Sequence, residues 1–167
     1  MNWKVFDDEN KTNRISKATT IIGLVFEGLS LAAIAFATSL LAILYRADKA
    51  DVEEILVDAN LTTAEIEEFM DLFGTFQGWI PFLLVPMIVF GLVLFVIFLV
   101  NLVLFTGVLR SRYSVDKAGK IYLYQAIWGA INLLFNQLLG ILYLVSGIQG
   151  RSQMNEERRK TGKDTGL

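Results

Sequence analysis

Three apolar blocks separated by charged segments dominate the chain: Ala18 to Tyr45, Trp79 to Leu109 and Ile121 to Ile148. Each exceeds the roughly 20 residues that one helix needs to cross the hydrocarbon core of a bilayer, and soluble core helices rarely look like this. The pattern predicts an all-α, integral membrane helical bundle. Between the first two blocks the period changes. Val52, Ile55, Leu56 and Ala59, then Ile66, Phe69, Met70 and Phe73, recur at helical spacing, which predicts two short amphipathic helices parted at Asn60 and Leu61. Thr62 followed three positions later by Glu65 has the form of a capping box, in which each side chain satisfies a free backbone donor at a helix start. Gly74 and Gly78 are expected to loosen the chain before the second block. Pro81 is tolerable in a first helical turn, whereas Pro86 should bend the helix or mark its true start.

The resulting organisation is a cytoplasmic leader (1–17), a first span (18–45), an extracytoplasmic acidic helical segment (46–78), a second span (79–109), a cytoplasmic basic loop (110–120), a third apolar block (121–150) and a cytoplasmic charged tail (151–167). The first block has a basic leader and small residues near Ala35 and Ala37, as a signal peptide would. Its apolar run is about twice a normal signal core, so an uncleaved span is the better reading.

Basic residues orient the chain, because short loops rich in Lys and Arg stay on the cytoplasmic side. The leader carries Lys4, Lys11, Arg14 and Lys17; the loop carries Arg110, Arg112, Lys117 and Lys120; the tail carries Arg151, Arg158, Arg159, Lys160 and Lys163. The segment 46–78 has only Arg46 and Lys49 among many acids. All three basic segments then face inward, and the third block must return to the side it entered. A hairpin turning near Asn132 to Gln137 achieves this with two short legs, each reaching only about 24 Å at 1.5 Å per residue. Against it, Gln125, Gly129, Asn132, Asn136, Gly140, Tyr143 and Gly147 recur as one face of a single continuous helix would, and no Gly or Pro marks the turn. The alternatives are four spans, the last two a short hairpin, or three long spans.

A further observation favours the hairpin. The succession of a basic leader, a Gly-containing first span, the outside stretch LTTAEIEEFMDLFG (Leu61 to Gly74), a long second span and then KAGKIYLYQAIWGAINLLFNQLLGILYLVSGIQGRSQ resembles small four-span membrane proteins of Gram-positive bacteria, grouped as a domain of unknown function. The match is nearest at LLGILYLVSGIQG, Leu138 to Gly150. The resemblance implies a chain ending in two short Gly-rich helices and no transferable activity; GKIYLYQAIWGA stands where a Gly-rich first leg would be.

Within the first block stands one carboxylate, Glu27, roughly 12 Å inside if the span begins near Thr19. A charge there costs several kcal/mol unless it is paired, hydrated or protonated, so Glu27 should face the protein interior or a wet cavity. No Lys, Arg or His lies within a span to neutralise it. Asn101, Gln125, Asn132 and Asn136 are its candidate partners in an intramembrane polar cluster. Gly23 and Gly28 beside it, with Gly129, Gly140 and Gly147 in the third block, offer small surfaces on which helices approach closely. Glu27 is either polar glue between helices or a proton or cation relay; with no second ionisable group in a span, glue is the stronger reading. Tyr45, Trp79, Tyr122 and Tyr124 have the character of interfacial anchors.

Composition narrows the chemistry. Of 167 residues, 54% are hydrophobic, and Cys and His are both absent, which removes disulfides, thiolate and imidazole metal sites, and the commonest catalytic base. The outer acids match no compact calcium loop and read as a solvated helix face. Ser30 and Ser39 have no neighbouring base to make a nucleophile, there is no phosphate-cradling glycine loop, and nothing resembles a nucleic-acid surface. The expectation is a non-catalytic membrane protein without metal or cofactor, with lipid and another membrane protein or a second copy as partners. It is read as an accessory or regulatory subunit. The alternatives are a small oligomeric transporter or channel with Glu27 in the path, or an immunity or stress protein occluding a pore.

Overall fold

The computed structural model describes residues 11–164, with side chains described for 14–160. It is all-α: α1 (Lys11–Arg46), α2 (Lys49–Asp58), α3 (Thr63–Leu109), α4 (Val115–Asn132) and α5 (Gln137–Asp164). Among the described residues two helices are long and apolar enough to cross a membrane, Arg14–Arg46 and Thr63–Leu109. The chain divides into two compact units, residues 1–29 with 96–167, and residues 30–95.

In the first unit the stretch 133–136 is a turn, and α4 and α5 form a hairpin. The continuous helix that the periodicity allowed is broken there. The period persists across the break because both legs turn their small residues toward each other. A Cβ on Gly129 would meet the backbone at Leu144 and Gly140, one on Gly140 the backbone at Leu133, and one on Gly147 the backbone at Ala126 and Tyr122. Glycine at these positions is what allows two backbones to lie in contact. Asn136 makes the turn: its side chain accepts from the Leu139 N–H (3.3 Å), capping α5. Ser114 caps α4 through the Lys117 N–H (3.4 Å), just after Ser111, which adopts φ 53°. The core of the unit is Phe105 and Val108 of α3, Ala118, Ile121 and Tyr122 of α4, and Leu139, Tyr143 and Met154 of α5. The charged tail is helical as far as Asp164, and Arg158 pairs with Asp116 across the hairpin's feet.

In the second unit the capping box forms: the Thr62 N–H and hydroxyl both donate to Glu65 Oε2 (2.8 and 2.7 Å), and the Glu65 N–H donates to Thr62 Oγ1 (3.4 Å). The helix it starts does not end at Gly74 or Gly78. α3 is continuous through both glycines and through Pro81 and Pro86, so the short second helix and the second span are one element, and Pro86 does not mark a beginning. Pro81 and Pro86 each lack an N–H to donate, yet the helix carries on through them. α2 forms as expected, capped by Asp48, whose side chain accepts from the Ala50 N–H (3.1 Å). Its apolar stripe is not buried, however; Ile55 is 67% exposed. On α3 the stripe is partly buried, Ile66 and Phe73 inside, with Phe69 outside and stacked on Phe73. Gln77 secures the end of α1, its Nε2 donating to the carbonyls of Tyr45 (3.0 Å) and Ala47 (3.1 Å), groups a helix terminus leaves unpaired.

Candidate functional site

Four helices of the first unit turn polar residues inward. On α1, Ser16, Thr20, Gly23 and Glu27 are buried and follow one another at intervals of one helical turn. On α5, Tyr143 and Ser146 do the same, α4 contributes Gln125, and α3 contributes Asn101. These residues make two hydrogen-bonded groups.

The first is built on Glu27, 6% exposed. Its Oε1 accepts from Asn101 Nδ2 (2.7 Å) and its Oε2 from the Tyr143 hydroxyl (2.5 Å). Tyr124 donates to Asn101 Oδ1 (2.8 Å), which fixes the amide with its nitrogen toward the carboxylate. Trp128 places its buried indole N–H beside Glu27 but outside hydrogen-bond geometry. The ring of Tyr143 reaches Glu27 over Gly23, where a Cβ would collide with it. Phe105 packs edge-on against Tyr143 at 5.3 Å and tilted against Tyr124 at 6.2 Å.

The second group lies toward the start of α1. Gln125 Nε2 donates to Thr20 Oγ1 (3.1 Å), and Ser146 Oγ lies 3.3 Å from Gln125 Oε1. Thr20 and Ser146 share a short hydrogen bond, and the Ser146 hydroxyl also donates to the Ser16 carbonyl (3.0 Å). The crevice bounded by Thr20, Phe105, Val108, Ile121, Tyr122 and Gln125 is too small for a water molecule. Thr20, Gln125 and Ser146 satisfy one another, while the Tyr122 hydroxyl beside them is buried without a protein partner. Farther along α5, both polar atoms of Gln153 and Oε1 of Gln149 are buried without a protein partner.

Of the candidate partners of Glu27, the structure brings Asn101 to it. Gln125 serves the second group, Asn132 donates to the Trp128 carbonyl one turn back in its own helix (2.9 Å), and Asn136 caps α5. Of the four aromatic residues with anchor character, Tyr122 is buried in the core and Tyr124 is engaged with Asn101, while Tyr45 and Trp79 are exposed. Gly28 is in ordinary contact with Phe98 (3.6 Å from an added Cβ). The serine and threonine partners were not foreseen; the turn-by-turn recurrence of Ser16, Thr20, Gly23 and Glu27 was the available signal. Among the described residues, no group of acidic side chains is arranged to hold a metal ion. Comparison of the chain with protein families, with curated proteins and with solved structures finds no match.

Proposed function

We propose that the chain is a multi-pass protein of a bacterial cell membrane that acts, without catalysis, as an accessory or regulatory subunit through helix contacts with a membrane partner. α1 and α3 cross the bilayer; the amino end, the turn at Arg110 and the carboxyl end lie in the cytoplasm, and α2 lies outside. This orientation holds whether the α4 and α5 hairpin traverses the bilayer or turns within it. In support, no residue in the most apolar stretch of α3 is buried, and side chains such as Phe82 (71% exposed) and Val103 (66%) face outward. In water so much apolar surface would drive aggregation; in lipid it costs nothing. The likeness of Leu138 to Gly150 to the end of small four-span Gram-positive proteins points the same way.

The observation that carries the partner reading is a groove of about 480 Å³ in the second unit, lined in part by the small residues Ala32, Ala35 and Gly91 beside Ile34, Met87 and Phe95. Small residues let a partner helix approach closely, and membrane helices associate by that kind of packing. Glu27 fits the glue role here, since each of its oxygens is already engaged by a donor. Purification in mild detergent with mass spectrometry is expected to recover a stoichiometric membrane partner, lost in Ala35→Phe, which fills the groove. A chain that purifies alone, or a partner indifferent to Ala35→Phe, would contradict the proposal.

A further inference from the structure

The tip of the hairpin is the least conventional surface of the molecule. Leu134 and Phe135, 82% and 78% exposed, are the most exposed large hydrophobic side chains among the described residues, and they sit in a turn, where polar residues are the rule. The N–H groups of that turn are paired within it. The Leu133 N–H donates to the Gly129 carbonyl, Leu134 to Ile131, and Phe135 and Asn136 both to Asn132, at 2.7 to 3.2 Å. Asn136 then uses its side chain on Leu139 and its carbonyl on the Gly140 N–H (2.9 Å). Pairing these donors lowers the cost of taking the turn out of water, since an unsatisfied backbone group in lipid costs several kcal/mol.

The legs are too short to cross. From Ile121, the first core residue after Lys120, to the end of α4 at Asn132 the helix rises about 18 Å, against about 30 Å of hydrocarbon. Cations stand at both feet, Lys117 and Lys120 on α4 and Arg151, Arg158 and Arg159 on α5, and hold them at one aqueous face. We propose that α4 and α5 form a re-entrant hairpin: it enters the bilayer from the cytoplasmic face, turns among the acyl chains with Leu134 and Phe135 as its lipid-facing tip, and returns. The inference rests on the membrane reading of α1 and α3, and replaces a four-span count by two spans and one re-entrant element.

The chain has no cysteine, so one introduced by Phe135→Cys is unique. In phosphatidylcholine liposomes this variant is compared with Phe36→Cys, in the first span, and Ile55→Cys, on α2. Circular dichroism checks that each stays as helical as the parent. A membrane-impermeant maleimide, applied outside and then to both faces after permeabilisation, is expected to label Ile55→Cys and to leave Phe135→Cys unlabelled on either side. Nitroxides at 36 and 135 should be relaxed more by oxygen than by a water-soluble nickel chelate, and at 55 the reverse. Labelling of Phe135→Cys from the face that labels Ile55→Cys would overturn the proposal in favour of a crossing hairpin; labelling from the opposite face only would show a hairpin lying in cytoplasmic water. Nickel access at position 36 as well would instead remove the membrane reading, and the hairpin proposal with it.

Discussion

Glu65 shows how one side chain sets a helix start. The Thr62 hydroxyl, and then the Thr62 N–H, donate to its carboxylate and hold it below the ordinary value of 4.5. A carboxyl lowered on folding adds stability that is complete above its unfolded value and is lost as pH falls through its folded value. The Thr62 amide resonance is therefore expected to titrate with a midpoint below 4.5, and Thr62→Ala should move the Glu65 midpoint upward; a midpoint unchanged by that substitution would show the cap to be idle. Tyr143 offers the buried counterpart. Tyr143→Phe removes one of the two donors on Glu27 while keeping the ring over Gly23, and should destabilise the fold by about 1 kcal/mol in a detergent unfolding titration, the usual size of such bonds between membrane helices. Glu27→Gln should keep most of that stability if the residue is glue, since an amide can still bridge Asn101 and Tyr143. The sequence showed that Glu27 needed an interior partner but not that a tyrosine would supply one, because the amides Asn101, Gln125, Asn132 and Asn136 were equally placed to do so. Only its register, on the face of Gly140 and Gly147, set Tyr143 apart.

At the scale of the element, the glycines separate into kinds that substitution can tell apart. Gly147→Ala would press a methyl against the backbone of Ala126 and Tyr122, and overpacking of that kind costs about 1 to 3 kcal/mol. Gly78 has no atom within 4 Å of an added Cβ, so Gly78→Ala should be neutral or stabilise α3 by up to about 1 kcal/mol through helix propensity alone. Thermal unfolding in detergent, followed by circular dichroism, should lower the midpoint for the first and not for the second; equal effects would mean that the hairpin is not closed at Gly147. Such contrasts mark what the sequence could reveal. The capping box at Thr62 and Glu65 was legible because its residue types and spacing are local, and the turn expected near Asn132 to Gln137 forms at 133–136. The continuity of α3 was not legible: Gly74, Gly78, Pro81 and Pro86 are all helix-disfavouring residue types, and nothing local in the sequence shows that the helix carries on through them. The periodicity of 125–147 suggested one helix because two antiparallel legs with facing small residues present the same spacing.

For the whole molecule, distribution of charge and of apolar surface matters more than any single contact. The net charge is only -2, yet the cations gather in the leader, the 110–120 segment and the tail, while the acids gather in 46–78. A single cysteine at Arg159 is therefore expected to react with impermeant maleimide only after cells are opened, and one at Glu67 in intact protoplasts; the reverse pattern would invert the orientation. The central claim is that the bare apolar surface of α1 and α3 is covered by lipid. The most direct measurement is extraction: membranes containing the full chain are washed with alkaline carbonate and then with mild detergent. The account predicts that the chain stays in the pellet through the first wash and leaves it only in the second. Release by carbonate as a monodisperse particle, stable without detergent, would contradict it.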